Sequence, residues 1–176
     1  MAGVTSLSTR PSLWAERSIP NYVRGMAYQG VLCSNLSLDR FVFAIDEAPI
    51  FMLFAVNDSS IVKTYEWIGG YPEYRVEETE NSSSAPLSAD NISSFINVYA
   101  TNRYIYLLYS GKTFRKDRTK AFQGSVIYRL TWEGTPVDKL LLDYPSINIC
   151  VSPDDEMLYS MADKGEIEIV QYILRH

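Results

Sequence analysis

SVIYRLTWEGTPVDKLLLDYPSINICVSPDDEMLYSMADKGEIEIVQYIL, Ser125 to Leu174, is a run of short apolar strands separated by tight turns. SVIYRLTW (Ser125 to Trp132) and PVDKLLLD (Pro136 to Asp143) flank Glu133-Gly134-Thr135. INICVS (Ile147 to Ser152) and EMLYSMA (Glu156 to Ala162) flank Pro153-Asp154-Asp155. Gly, Pro and Asp supply turn geometry between β-rich runs, so both pairs are hairpin signals. EIEIVQYIL (Glu166 to Leu174) opens with acidic and apolar residues in alternation, the mark of a half-buried strand.

The same grammar occurs upstream. GVLCSN (Gly30 to Asn35), RFVFAI (Arg40 to Ile45), PIFMLFAV (Pro49 to Val56) and SIVKTYEWI (Ser60 to Ile68) predict four consecutive strands. SFINVYA (Ser94 to Ala100) and RYIYLLYS (Arg103 to Ser110) join the strands beginning at Val126 and Val137 as a second set. About eleven strands thus fall into groups of four, four and three, at the spacing of four-stranded propeller blades. The predicted fold class is all-β: a partial β-propeller of about three blades, with four-, four- and three-stranded antiparallel sheets and almost no helix.

A family resemblance rests on three of these segments. AYQGVLCSNLSLDRFVFA (Ala27 to Ala44), with Gln29-Gly30 before an inner strand, resembles the blade opening of the TolB-like six-bladed β-propellers. IYRLTWEGTPVDKLLLD (Ile127 to Asp143) and the hairpin ICVSPDDEMLYSM (Ile149 to Met161) are similar to later parts of that pattern. The resemblance covers about Ala27 to Leu174. A six-bladed ring needs roughly twice this length at about 40 to 50 residues per blade, so the chain looks like the C-terminal half of such a propeller. The expected division is an N-terminal arm at 1–24, serving as an outer or exchanged strand; blade one at 25–69; a linker loop at 70–91; blade two at 92–143; and an incomplete blade three at 144–176.

Composition bounds the function. The 176 residues are 47% hydrophobic and 13% aromatic, enough for one core. No apolar run reaches the roughly 18 residues of a membrane helix. Residues 1–20 lack the apolar centre of an export signal, although the family resemblance implies an exported parent protein. A net charge of −5 argues against a nucleic-acid partner, because phosphate contacts need a basic footprint. Cys33 and Cys150 occupy equivalent apolar strand positions and read as two buried free thiols, too far apart to bridge.

Chemistry is sparse. The single histidine is His176, so a Ser-His-Asp or Cys-His arrangement and a multi-histidine zinc site are excluded. Gly69-Gly70 lacks the following Lys-Ser or Lys-Thr of a phosphate loop. Pro153-Asp154-Asp155-Glu156 lacks the ligand spacing of a calcium hand and reads as a hairpin turn. The Asn-x-Ser sequons at Asn35, Asn57, Asn81 and Asn91 follow from polar turn composition. No catalytic residues, metal or cofactor are assigned.

Two long loops remain. GKTFRKDRTKAFQ (Gly111 to Gln123) carries five basic residues against Asp117, and residues 70–91 carry Glu73, Glu77, Glu78, Glu80 and Asp90 against Arg75. Up-and-down strand order puts both at one end of the blades, where they read as the most exposed, least ordered interior loops. Arg115, Lys116 and Arg118 are the candidate binding residues for an anionic group. Tyr99, Tyr104, Tyr106 and Tyr109 read as core packing. The functional expectation is a non-enzymatic module for protein or ligand recognition that self-associates, as a two-fold homodimer, to complete a ring. The alternative is a carboxylate-dependent hydrolase or lyase in the central channel of the assembled propeller.

Overall fold

The computed structural model describes residues 21–79 and 82–174. Residues 1–20 of the predicted arm at 1–24, and the terminal His176, lie outside them. Strands β1 (Gly30–Ser34), β2 (Arg40–Ile45), β3 (Ile50–Asn57) and β4 (Ser60–Ile68) form an antiparallel sheet in sequence order. Strands β5 (Glu77–Glu78) and β6 (Ser83–Ser84) make a small hairpin. Strands β7 (Ile92–Ala100), β8 (Tyr104–Thr113), β9 (Gly124–Thr131), β10 (Pro136–Val151), β11 (Met157–Asp163) and β12 (Ile167–Ile173) then follow in a second up-and-down sheet.

Strand β10 carries the transition between blades. The sequence predicts two strands there, and the structure joins them into one of 16 residues. Its first half pairs with β9 and its second half with β11, and the β9 register breaks between Leu141 and Ser146. Pro145 lies inside that break, where a residue without an N–H cannot extend the ladder. The pairing therefore resolves into groups of four, four and three, a partial propeller of about three blades.

The strands of the second group alternate their side chains between two blade interfaces. Val42, Ala44, Phe51 and Leu53 of the first group pack against Phe95, Val98, Ala100, Ile105, Leu107 and Leu130 of the second. The opposite face of the second group, with Tyr106, Leu108 and Ile127, packs against Ile149, Val151 and Leu158 of the third. β1 lies beside β7, and β7 beside β10, so the inner strands of the three groups are neighbours. Gly30 permits this start: a Cβ there would sit 2.0 Å from the Ala44 carbonyl oxygen.

Four expectations are corrected. Residues 21–24 belong to a helix, α1 (Asn21–Ala27), rather than to an outer strand; its Val23 and Ala27 pack on Ala85, Tyr28 and Tyr74. Residues 111–123 are folded: β8 runs to Thr113, a short helix α2 (Phe114–Asp117) follows, and a 3-10 turn (Arg118–Phe122) leads to β9. Ser110 Oγ donates to the Ala121 carbonyl at 2.6 Å, and Lys112 Nζ donates to the carbonyls of Lys120 and Gln123, which ties the segment down. The linker at 70–91 forms the β5–β6 hairpin and is clamped at its base by buried Asn91, whose side chain bonds both the N–H and the carbonyl of Glu73. Both cysteines are free thiols, but Cys150 is exposed and Cys33 only partly buried. Ile149 and Val151 point into the blade interface, so strand alternation turns Cys150 onto the sheet face that no further blade covers among the described residues.

Candidate functional site

The two long loops meet at one end of the blades. The Arg115 N–H donates to the Ala89 carbonyl at 2.8 Å, and the Arg115 guanidinium lies 2.5 Å from an Asp90 carboxylate oxygen. This hydrogen bond holds the Asp90 carboxyl below its usual range. Between the loops lies a groove of about 390 Å³ lined by Glu73, Tyr74, Arg75, Leu87, Ser88 and Arg115. Lys116 is exposed, and its N–H caps onto Thr113 Oγ1. Arg118 takes a left-handed backbone, φ 53°, and its guanidinium sits 5.9 Å from the centre of the Phe114 ring. The three candidate cations therefore share one short segment. Arg115 is already committed to Asp90, while Lys116 and Arg118 project at the surface.

A carboxylate pair occurs at the β2–β3 hairpin. Burial pushes the Asp46 carboxyl up, and burial together with neighbouring Asp46 does the same to Glu47. Oδ1 of Asp46 is buried without a hydrogen-bond partner among the described residues, as are the hydroxyls of Ser93 and Ser94. The Ser94 N–H donates to the Asp46 carbonyl at 2.6 Å, which places this turn beside the start of inner strand β7. Sequence reading passed over the pair because adjacent carboxylates in a turn carry no spacing signal. Among the described residues no group of three or more His, Cys, Asp or Glu is placed to hold a metal ion.

The opposite end is closed by tight, interlocked turns. Asp155, fully buried with φ 63°, accepts hydrogen bonds from Thr101 Oγ1 at 2.8 Å and from the Tyr106 hydroxyl at 2.9 Å. Burial first, and Asp155 second, push the Tyr106 hydroxyl far above the usual tyrosine range, so it remains a donor. Arg129 continues the network to Asp138, with Nε 2.9 Å from Oδ1. The Trp132 indole donates to the Thr101 carbonyl at 3.0 Å. Asp155 thus joins the third group to the second, a role its place in an acidic turn does not advertise.

Sequence reading also missed an aromatic cleft between the first and second groups. Phe51, Tyr65, Trp67, Phe95, Tyr109 and Tyr128 converge on a space of about 350 Å³. Of these, Tyr109 alone reads from the sequence as core packing, and it does pack against the buried cluster between the two groups. The signal lies in the sequence as an aromatic residue two before glycine, at Trp67-Ile68-Gly69 and Tyr109-Ser110-Gly111.

Fold and loop arrangement define an antiparallel β-propeller segment with its long loops gathered at one end. The chain belongs to the TolB-like 6-blade propeller-like family, whose model matches residues 5–154. Among solved structures it is similar to the β-propeller domain of Cps50 (Swd1) from Myceliophteria thermophila, at 12% identity and a TM-score of 0.48. That match covers 82% of this chain and 40% of the propeller domain, so the chain spans well under half the length of that relative. Among curated proteins, none matches. No helix among the described residues is long and apolar enough to cross a membrane.

Proposed function

We propose that the chain is a non-enzymatic β-propeller module for protein or ligand recognition, working through the end where residues 70–91 and 111–123 meet. The observation that carries this reading is the joining of the two loops by Arg115, through Asp90 and Ala89, over a groove rather than a flat surface. Binding residues concentrate on loops held by a rigid frame, and here the frame is the packed four-stranded and six-stranded sheets. Lys116 and Arg118 supply positive charge at the surface, and an incoming carboxylate or phosphate competes with Asp90 for Arg115. An unbiased screen of anionic glycans, acidic peptides and phosphorylated compounds tests it. Alanine at Arg115, Lys116 and Arg118 together should weaken any hit at least tenfold while moving the melting temperature little, because exposed charges contribute little to stability. Binding that survives the triple substitution removes this face as the site.

The blades are divided at 25–69, 92–143 and 144–176, and self-association completes the ring. The face of the third group carrying Met157, Tyr159, Met161, Ile169 and Ile173 has no sheet over it among the described residues, and Ile169 and Ile173 are 67% and 75% exposed. Leu32 on the far face of the first group is 64% exposed. Exposed apolar sheet faces favour association, and a two-fold pairing is the commonest arrangement. Sedimentation at micromolar concentration should show a dimer that Ile169→Glu with Ile173→Glu dissociates. A monomer with the native residues ends the idea.

A second reading, a carboxylate-dependent hydrolase or lyase, rests on Asp46 and Glu47 beside the inner strands. Turnover of a glycoside or uronate substrate abolished by Asp46→Asn with Glu47→Gln would favour it over simple recognition.

A further inference from the structure

We propose that the cleft between the first and second groups is a binding site for an aromatic ring, of one to two fused rings in size. Its walls come from both sheets. Phe51, Tyr65 and Trp67 of β3 and β4 lie nearly parallel, with Phe51 tilted 26° from Tyr65 and 29° from Trp67. Phe95, Tyr109 and Tyr128 of β7 to β9 stand across them: Phe95 meets Phe51 at 81° and Trp67 at 61°, and Tyr109 meets Tyr128 at 63°. The two banks, one stacked and one crossed, touch at their base, where almost fully buried Phe95 lies 5.9 Å from Phe51 and 6.3 Å from Trp67, and the open space lies toward the exposed edge of Trp67.

The walls are held by backbone. Three of these rings rest on a glycine where a Cβ would collide at 2.7 Å: Trp67 on Gly69, Tyr109 on Gly111 and Tyr65 on Gly134. Gly111 and Gly134 also have φ of 73° and 80°, which other residues adopt at a cost. Gly134 belongs to the β9–β10 turn, so a turn of the second group is laid flat on a ring of the first. Close packing alone does not require this, because Trp67 remains 41% exposed at the mouth. The cradles fix ring orientation before any ligand arrives, which reduces the ordering cost of binding.

Volume and chemistry choose the guest. An apolar cavity of about 150 Å³ accepts benzene, and this cleft has about 350 Å³. None of its lining residues is charged, so an ion entering it would lose water without an opposite charge in return. An aromatic guest gains edge-to-face contact with the crossed bank that an aliphatic guest of equal area does not. Tyr65, Tyr109 and Tyr128 are the lining residues whose side chains carry a hydroxyl, a group that can bond a phenol or indole. The guest is a free aromatic molecule: about 350 Å³ of uncharged lining holds one to two fused rings but offers no charged group to a flanking peptide.

Ligand-observed NMR on the full chain, with p-cresol and 3-methylindole as probes and isobutanol as the aliphatic control, tests the assignment. Both aromatic probes should bind saturably and isobutanol at least tenfold more weakly. Trp67→Ala should weaken the aromatic probes tenfold or more, and Trp67→Phe by less. Gly134→Ala, which drives a methyl group into Tyr65, should also weaken them. Tyr159→Ala on the distant open face should leave binding unchanged, which separates the cleft from general apolar adsorption. N-acetyltryptophanamide binding at least as tightly as a pentapeptide with central Trp supports the small-molecule site, and clearly tighter peptide binding overturns it in favour of a polypeptide partner. Absence of saturable aromatic binding, or binding indifferent to both Trp67→Ala and Gly134→Ala in folded variants, overturns the proposal.

Discussion

Replacing Asp155 by alanine tests whether a single carboxylate sets how the third group sits on the second. In the folded chain its Oδ1 receives both the Thr101 and the Tyr106 hydroxyls. Tyr106 is 0% exposed and Thr101 1%, so water cannot replace the lost acceptor. Each buried donor left unsatisfied costs about 1–3 kcal/mol. Alanine at φ 63° adds about 1 kcal/mol of left-handed backbone strain. The sum is about 4 kcal/mol, a large part of the roughly 5–15 kcal/mol that holds a domain together. At this size it corresponds to a fall in melting temperature of about 8–16 °C. Asp155→Asn keeps an oxygen for both donors and tolerates the backbone, so its cost should be about 1 kcal/mol. Urea unfolding of the two variants, with Tyr106→Phe to close a double-mutant cycle, measures the difference. Equal costs for alanine and asparagine, or an alanine cost under about 1 kcal/mol, would refute the argument that the carboxylate joins the blades.

Other expectations follow from the same geometry. Asp90 titrates below its ordinary value because Arg115 donates to it; its contribution is present above the unfolded-state pKa of about 3.9 and lost as pH falls through the lower folded value. The protection factor of the Arg115 amide, taken against the intrinsic exchange rate at each pH, should therefore fall on acidification below about pH 4, and Asp90→Asn should remove that dependence. Asp46 has the opposite sign: its folded pKa is raised by burial, so relative stability is fullest below the unfolded value and is lost as pH rises through the folded one. Asp46→Asn should make the chain more stable at neutral pH and flatten its stability profile, and a less stable variant at pH 7 would contradict this. Gly30→Ala places a Cβ 2.0 Å from the Ala44 carbonyl oxygen, so β1 must shift off β2. Thermal melts should show a loss of several kcal/mol, of the order of about 3, as for other overpacked sites.

What was legible in the sequence is whatever depends on neighbours along the chain. Alternating apolar residues, and turns such as Glu133-Gly134-Thr135 and Pro153-Asp154-Asp155, locate hairpins because strand pairing across a tight turn is local. The up-and-down order, the grouping by blade and the shared end of the two long loops follow from the same information. Cys150 reads as buried because strand alternation identifies two faces without saying which of them a neighbouring blade covers. The basic segment at 111–123 reads as loop because its order comes from Ser110, Lys112 and Thr113 bonding to backbone within the fold. Asp155 could be placed in a turn, but its partners Thr101 and Tyr106 lie 54 and 49 residues away. The cleft likewise needs Tyr65 of one sheet on Gly134 of another. Sequence alone determined the main strands and their order, because these rest on backbone periodicity and turn chemistry, though not the β5–β6 hairpin or the continuity of β10. Tertiary structure alone decided which carboxylate is buried and which rings form a cleft, because both depend on surfaces that meet only when separate sheets pack.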